Sequence, residues 1–220
     1  MLVARLIALL IGYAFGLCET GYIYGKIHHT DIRQHGSGNA GTTNALRTFG
    51  VKGGILTLLG DLLKAIIAIL IVWLIFKDRY PEGVMLLKAV TGLGCVLGHN
   101  YPFFMNFRGG KGIACTAGTI IMLDLRFAPV LLAAFILIVA LTKYVSLGSI
   151  TVVTGFFIEA LIFGNMGWLD IDVHYLPEFY LYAAILMILA LWRHKENIKK
   201  LINGTERKIS FKKPEEEKHD

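Results

Sequence analysis

Charged side chains and cysteines are both scarce in this sequence. Only 17% of the 220 residues are charged, 55% are hydrophobic, and the mean hydropathy is +0.59. A soluble globular domain carries about 25% charged residues, so a soluble fold is excluded. The three cysteines, Cys18, Cys95 and Cys115, lie far apart within apolar segments. Their placement excludes a disulfide framework and a cysteine-based zinc site.

Apolar runs long enough to cross a bilayer recur along the chain, since a transmembrane helix needs about 20 mostly apolar residues. We predict an all-α, polytopic integral membrane bundle of about seven helices. The fourth predicted helix is short enough to be re-entrant, so the number of spans could also be five or six. Glycine or glutamate interrupts the first and the sixth. The predicted spans are Leu2–Tyr24, Ile55–Phe76, Gly83–Tyr101, Ile113–Leu123, Phe127–Thr142, Leu147–Phe163 and Leu176–Trp192.

Lysine and arginine are unevenly distributed between the links. With seven spans, sixteen of them fall on the side of the C-terminus and five on the other, and nine of the sixteen follow Trp192. The positive-inside rule therefore predicts an external N-terminus and a cytoplasmic C-terminus. Residues 1–206 are predicted to form one membrane-embedded domain, and residues 207–220 a charged, flexible cytoplasmic tail. Because the basic residues cluster beside an apolar span, we interpret the +6 net charge as facing anionic lipid, with no nucleic-acid partner.

A glycine-rich segment on the predicted inner side, Gly36–Arg47, has the composition of an anion site. Its glycines allow positive φ, so that successive N–H groups can converge on an anion. Hydroxyl and amide side chains add donors, and Arg47 can hold phosphate or carboxylate in a fork. A flexible hinge between two helices is the alternative. The candidate residues are Ser37, Gly38, Asn39, Gly41, Thr43, Asn44 and Arg47.

A second segment on the same side, Gly98–Gly112, ends in Gly109-Gly110-Lys111-Gly112 directly before an apolar helix. Glycines and a lysine at a helix N-terminus predict a phosphate site. It is not a Walker A loop, because Met105 and Gly112 stand where that pattern needs Gly and Ser or Thr. A plain positive-inside role for Arg108 and Lys111 is the alternative. The candidates are His99, Gly109, Gly110, Lys111 and Gly112.

Two further groups of polar residues accompany the apolar spans. If the last helix continues past Trp192, His194 and Asn197 share one face of it, while Arg193 is expected to extend toward the lipid headgroups. Asp61 and Lys64 lie three residues apart within the second predicted span. A buried structural ion pair is favoured there over a proton relay.

These segments closely resemble one family, the bacterial acyl-phosphate:glycerol-3-phosphate acyltransferases called PlsY. The resemblance runs from about Gly21 to Glu206 and includes Tyr144–Ile150, with Ser146 and Ser149, and Arg193–Glu206. It implies a seven-helix inner-membrane enzyme with its active site on the cytoplasmic face. Such an enzyme transfers a fatty acyl group from acyl phosphate to glycerol 3-phosphate, giving lysophosphatidic acid and inorganic phosphate. The resemblance implies no cofactor or metal.

Residue roles follow from the same resemblance. The Gly109–Gly112 loop with Lys111 is assigned to a substrate phosphate. His194 is expected to bind substrate rather than to act as a general base, because a substrate phosphate can take the proton. We also expect a monomer, surrounded by membrane lipids and functionally coupled to an enzyme that forms acyl phosphate. The residues that hold glycerol phosphate are Ser37, Arg47, Ser149, His194 and Asn197.

The sequence departs from the family pattern at a few positions. Arg108, Cys115, Lys143 and Ala65 stand where the family usually has Lys, Thr, Arg and Gly, and Glu19 lies where relatives are typically uncharged. No histidine is followed by Asp five residues later, as acyltransferases that use acyl-CoA or acyl-carrier protein typically require, which favours an acyl phosphate donor. Two other classes stay open at this point: a transporter or channel for a phosphorylated solute, and a non-enzymatic membrane scaffold.

Overall fold

The computed structural model describes residues 1–209, and every regular element in that range is helical. The predicted all-α membrane bundle is confirmed, while the predicted tail lies outside the described residues from position 210 onward. The helices are α1 (Leu2–Gly16), α2 (Thr20–Ile27), α3 (Thr42–Phe76), α4 (Val84–Asn100), α5 (Ile113–Leu123), α6 (Ala128–Thr142), α7 (Val145–Asn165), α8 (Leu176–Arg193) and α9 (Lys195–Ile202).

Six helical segments in the described chain are long and apolar enough to cross a bilayer, and α5 is a seventh, shorter apolar helix. With 11 residues, α5 is about 16 Å long, against about 30 Å of hydrocarbon. The number of complete crossings and the orientation remain predictions.

The structure corrects several predicted boundaries. The helix expected over Ile55–Phe76 begins at Thr42, and it is broken at Gly50, whose φ of 75° and ψ of −170° are not helical. Thr43, Asn44 and Arg47 therefore lie on the first turns of a helix and not in an irregular loop. The first span is interrupted as predicted, between Gly16 and Thr20, whereas α7 runs unbroken through Glu159.

Glycines allow α1 and α4 to pack with their backbones in contact. A β-carbon on Gly94 would lie 2.3 Å from the carbonyl oxygen of Leu9, and one on Gly98 would lie 2.3 Å from that of Tyr13. Small residues serve this purpose at helix contacts in membranes, where close backbone approach replaces the hydrophobic effect. The packing fixes the C-terminal end of α4, including His99 and Asn100, and the second glycine-rich segment begins there.

The other side of α4 packs against an aromatic core. Phe127, Phe156 and Phe179 are fully buried there, and Phe127 meets Phe156 edge to face with ring centroids 5.3 Å apart. Many large apolar side chains of α1, α3, α6 and α8 are instead exposed on the outer surface of the bundle, as expected for helices that face lipid. The core holds the helices rigidly enough to position the segments at their ends.

Candidate functional site

The first glycine-rich segment is held in place by one buried side chain, Asn44. Its amide oxygen accepts from the backbone N–H of Ser37 at 2.8 Å, and its amide nitrogen donates to the carbonyls of Ile32 and His35 at 3.1 and 3.0 Å. Gly36 has a positive φ of 60°. The side chain of Asn44 thus bonds to the chain between Ile32 and Ser37, so this predicted substrate-binding residue is buried and shapes the loop.

Asn39 joins the two glycine-rich segments. Its amide nitrogen donates to the carbonyl of Gly109 at 3.3 Å, and its oxygen accepts from the N–H of Gly41 at 3.0 Å. Ser37 and Gly38 beside it are exposed, with a φ of 70° at Gly38. Two segments about 70 residues apart in the chain therefore lie side by side.

The second segment folds back onto the end of α4. The N–H of Gly110 donates to the carbonyl of His99 at 3.0 Å, and that of Gly109 donates to Asn100 at 3.2 Å. Nothing larger than glycine fits at Gly110, because a β-carbon there would lie 2.0 Å from Nε2 of His99. Gly112, with a φ of 78°, then forms the N-cap of α5. This N-terminus directs free backbone N–H groups toward the space beside Lys111.

Arg193 contacts this loop and does not extend to the headgroups, so that prediction is wrong. Its guanidinium donates to the carbonyl of Gly110 at 2.6 and 3.0 Å and to that of Gly109 at 3.0 Å. It also lies over the ring of Tyr101, 5.3 Å from the centroid. The guanidinium fork neutralises carbonyls that would otherwise repel an anion, and it fixes the loop to the end of α8.

Lys111 begins a chain of polar contacts that crosses to the C-terminal segment. Its ammonium donates to the amide oxygen of Asn197. The amide nitrogen of Asn197 donates to Oε1 of Glu206 at 2.8 Å, and the hydroxyl of Ser146 donates to the same oxygen at 3.0 Å. Glu206 is therefore a further residue of the site. The sequence pattern included it only as the end of the Arg193–Glu206 segment, without a role. An Asn-Gly turn at Asn203-Gly204, with a φ of 68° at Gly204, directs the chain back to the bundle. This dipeptide is the sequence signal from which the return of Glu206 to the site could have been predicted.

Burial shifts the pKa of two basic side chains in this cluster in the same direction. The pKa of Lys111 is lowered to about 8 by desolvation and by the nearby Arg193 and Arg47, with Glu206 opposing. The pKa of His194 is lowered to about 4 by desolvation and by Lys111. Nδ1 of His194 lies 2.8 Å from the carbonyl of Ala190. In the neutral ring, Nδ1–H donates there and Nε2 is left as an acceptor.

The remaining predicted residues lie around this cluster with different exposures. Arg47 is half-buried and donates to the carbonyl of Arg207 at 3.4 Å. Ser149 is buried, and its hydroxyl donates to Val145 at 2.8 Å within α7. Thr43 is half-buried on the first turn of α3. No three His, Cys, Asp or Glu side chains within residues 1–209 form a metal site.

His99 faces away from the open side of the site, into the bundle. Its Nδ1 lies 3.0 Å from Oε1 of Glu19, 3.0 Å from the ammonium of Lys64 and 3.8 Å from Oδ1 of Asp61. The predicted pair of Lys64 and Asp61 is confirmed at 3.0 Å, but it belongs to a larger buried cluster. Sequence reasoning gave no role to Glu19, which supplies that cluster's second carboxylate.

Comparison with known proteins gives a consistent result. The family model described as glycerol-3-phosphate acyltransferase matches residues 6–204. The glycerol-3-phosphate acyltransferase of Shouchella clausii is 40% identical over 215 residues, covering 96% of this chain and 99% of the relative. That of Bacillus subtilis is 36% identical, covering 96% of this chain and 100% of the relative.

Solved structures agree in fold. PlsY (YgiH), described as an integral membrane glycerol 3-phosphate acyltransferase, superposes in its glycerol 3-phosphate form with a TM-score of 0.79 and 31% identity. Its lysophosphatidic acid form superposes with a TM-score of 0.76 and 32% identity. Each comparison covers 94% of this chain and 96% of the other.

Proposed function

This chain belongs to the glycerol-3-phosphate acyltransferase family, and we propose that it takes its acyl group from an acyl phosphate and releases lysophosphatidic acid and inorganic phosphate. Membership makes the protein a membrane acyltransferase and decides against the transporter and the scaffold. The observation that carries the proposed donor is the contact between Asn39 and Gly109. This contact brings the two glycine-rich segments together, which supports a reaction between two phosphate-bearing substrates.

The proposed reaction needs positioning more than chemical activation. An acyl phosphate is a mixed anhydride, so its carbonyl carbon is already electrophilic. A hydroxyl oxygen of glycerol 3-phosphate attacks that carbon, the new ester C–O bond forms, and the C–O bond to phosphate breaks. The hydroxyl proton passes to the departing phosphate. Orientation of two bound reactants can contribute about 7–11 kcal/mol in favourable cases.

The side chains divide between the two substrates. Lys111, the N–H groups of the Gly109–Gly112 loop and the start of α5 hold one phosphate and stabilise charge that develops on it. Ser37, Arg47, Ser149, His194 and Asn197 hold glycerol 3-phosphate. Because the Lys111 ammonium touches Asn197, the two groups meet at this contact. Asn44 shapes the first loop and Arg193 the second, and neither needs to touch substrate.

Comparison of donors tests the function directly. The purified protein in lipid nanodiscs is given glycerol 3-phosphate with acyl phosphate, acyl-CoA or acyl-carrier protein of the same chain length. We expect lysophosphatidic acid, measured by mass spectrometry, only when acyl phosphate is the donor. One inorganic phosphate should be released for each molecule of product. Transfer from acyl-CoA without transfer from acyl phosphate would reject the donor. We further propose that a dedicated acyl-phosphate-forming enzyme supplies this monomer, because the anhydride hydrolyses in water.

His194 is expected to act as a hydrogen-bond acceptor and not as a titrating base. A group whose conjugate acid has a pKa of about 4 is neutral across the working range and is a weak base for an alcohol. The profile of kcat/KM against pH should therefore show no histidine titration between about pH 5 and 7. An inflection near pH 6.5 that disappears in His194→Gln would make His194 the base.

Arg193→Lys is expected to lower kcat/KM by about 5- to 10-fold. The variant keeps the charge but cannot form the fork on two carbonyls, so the loop loses part of its order. Lys195→Ala is the matched control, because Lys195 is also basic and lies beside the same span but is exposed over Trp192. Equal losses of kcat/KM in both variants would indicate that Arg193 acts only as a basic residue near the lipid headgroups.

The proposed topology places the site on the cytoplasmic face of the inner membrane. Single cysteines introduced at Ser37 and at Asp170, in a background without the native cysteines, should react with impermeant maleimide from opposite sides. Asp170 lies in the predicted outer link and is exposed. Reaction of both from the same side of intact cells would contradict the orientation.

A further inference from the structure

Four ionisable side chains meet inside the bundle, directly beneath the second glycine-rich loop. Glu19 lies between α1 and α2, Asp61 and Lys64 lie on α3, and His99 lies on α4. Each is at most 5% exposed. The thiols of Cys115 on α5 and Cys95 on α4 are the neighbouring titratable groups.

The ammonium of Lys64 has enough acceptors around it to be satisfied without the imidazole. An ammonium has three donors. The ammonium of Lys64 donates to the carbonyls of Gly16 at 3.2 Å and Cys18 at 2.6 Å, and Nδ1 of His99 lies at 3.0 Å. Oδ1 of Asp61, its ion-pair partner at 3.0 Å, takes the third proton when Nδ1 of His99 is itself protonated. The hydroxyl of Thr20 donates to the same Asp61 oxygen at 3.0 Å. Lys64 and Asp61 therefore form a pair that is balanced in charge by itself.

Glu19 adds a negative charge that this pair does not balance. Neither of its carboxylate oxygens has a hydrogen-bond donor in proper geometry within residues 1–209. Nδ1 of His99, 3.0 Å from Oε1, is the nitrogen that can supply a proton. An unpaired carboxylate is costly in a membrane interior. One additional proton makes the four-residue cluster neutral, and His99 carries it because an imidazole is a stronger base than the carboxylate that it contacts.

The other nitrogen of the same ring lies against the loop. Nε2 of His99 is so close to Gly110 that a β-carbon there would lie 2.0 Å away, and the carbonyl of His99 accepts the N–H of Gly110. A charge on this ring is thus next to the backbone that presents Lys111. In a site with little water, a fixed positive charge at such a position stabilises a bound anion.

We propose that Glu19 is a positioning residue that holds His99 as an imidazolium beneath the glycine loop, so that this enzyme binds a substrate phosphate with a second buried cation besides Lys111. The inference rests on the proposed function, in which this loop receives a phosphate. Glu19 acts through His99 and touches no substrate.

The protonation of His99 is measured without any turnover. Protein labelled with ¹⁵N-histidine is placed in lipid nanodiscs at pH 7.5, and the His99 signals are assigned by their loss in His99→Asn. We expect the shifts of an imidazolium in the unmodified protein and of a neutral ring in Glu19→Gln. A neutral His99 in the unmodified protein overturns the proposal, even if the variant does not fold.

Kinetics provide the second readout. Glu19→Gln should raise KM by about 3- to 10-fold for the one substrate whose phosphate lies on the loop, with kcat and the other KM within about twofold. Glu159→Gln is the matched control, because Glu159 is a half-buried carboxyl on α7 with one oxygen that has no hydrogen-bond partner within residues 1–209. Equal kinetics of both variants overturn the proposal. Absence of transfer from acyl phosphate by the unmodified protein would reject the proposed function and leave the histidine signals to decide this inference.

Discussion

Gly110→Ala is expected to lower kcat/KM by about 100-fold or more while the protein still inserts and folds. The added methyl group would lie 2.0 Å from Nε2 of His99. That ring is held by Glu19, Lys64 and the packing of α4, so it cannot move aside. The loop must shift instead, and a displacement of about 1 Å at a positioning group can cost about 100-fold in rate.

Gly155→Ala is the control for a methyl group added at a half-buried glycine outside the site. Gly155 lies on α7, and its new β-carbon would meet only the end of the flexible Leu131 side chain, at 2.7 Å. Activity of this variant should remain within about twofold, because alanine is also the better helix former. The measurement is initial rate in nanodiscs, with thermal unfolding monitored in parallel. Near-normal activity of Gly110→Ala would mean that the loop does not hold a reacting group.

Lys111→Ala is expected to lower kcat/KM by at least about 10-fold. The variant loses the proposed charged contact to a phosphate, which contributes about 1.5–3 kcal/mol, and 1.36 kcal/mol corresponds to a factor of ten. It also leaves the amide oxygen of Asn197 without the ammonium that it contacts. Initial rates with each substrate varied separately measure the loss. Turnover equal to that of the unmodified enzyme would refute the assignment of the loop.

The pH dependence provides an independent test of the same residue. The pKa of Lys111 is about 8 in the free protein. Below that pH the ammonium attracts phosphate, and above it the neutral amine does not, so inhibition by inorganic phosphate should weaken as pH rises through about 8. Lys111→Arg keeps its charge at all these pH values. Its phosphate inhibition should show no such decline, whatever its absolute activity.

The membrane class and the family were both readable from the sequence, for different physical reasons. A bilayer requires long apolar helices, and that requirement appears in any window of about 20 residues. Glycine, lysine and asparagine in a fixed order reflect local backbone chemistry, so Lys111 and Asn197 could be selected before any contact was known. The helix boundaries were less accurate, since Thr42–Phe49 lies outside the predicted spans but is helical. Asn44 at its start bonds to Ile32, His35 and Ser37 of the preceding loop, and these contacts could not be read from the sequence.

The contacts between segments were decided by the tertiary structure alone. Arg193 was expected among the lipid headgroups, as a basic residue at the end of a span normally is. It instead donates to Gly109 and Gly110, because the end of α8 lies beside a loop 83 residues earlier in the chain. Glu206 joins the site in the same way, through a turn whose direction depends on the neighbouring helices.

The sequence by itself determined that this protein lies in a membrane, which family it belongs to and which residue types are candidates for phosphate contact, because hydropathy and backbone chemistry are local properties. Only the tertiary structure decided which charges share a buried space. Glu19, Asp61, Lys64 and His99 come from three separate parts of the chain, and no pattern in one of them reports the others. The glycine contacts between the backbones of α1 and α4 bring Glu19 and His99 together, and α3 adds Asp61 and Lys64.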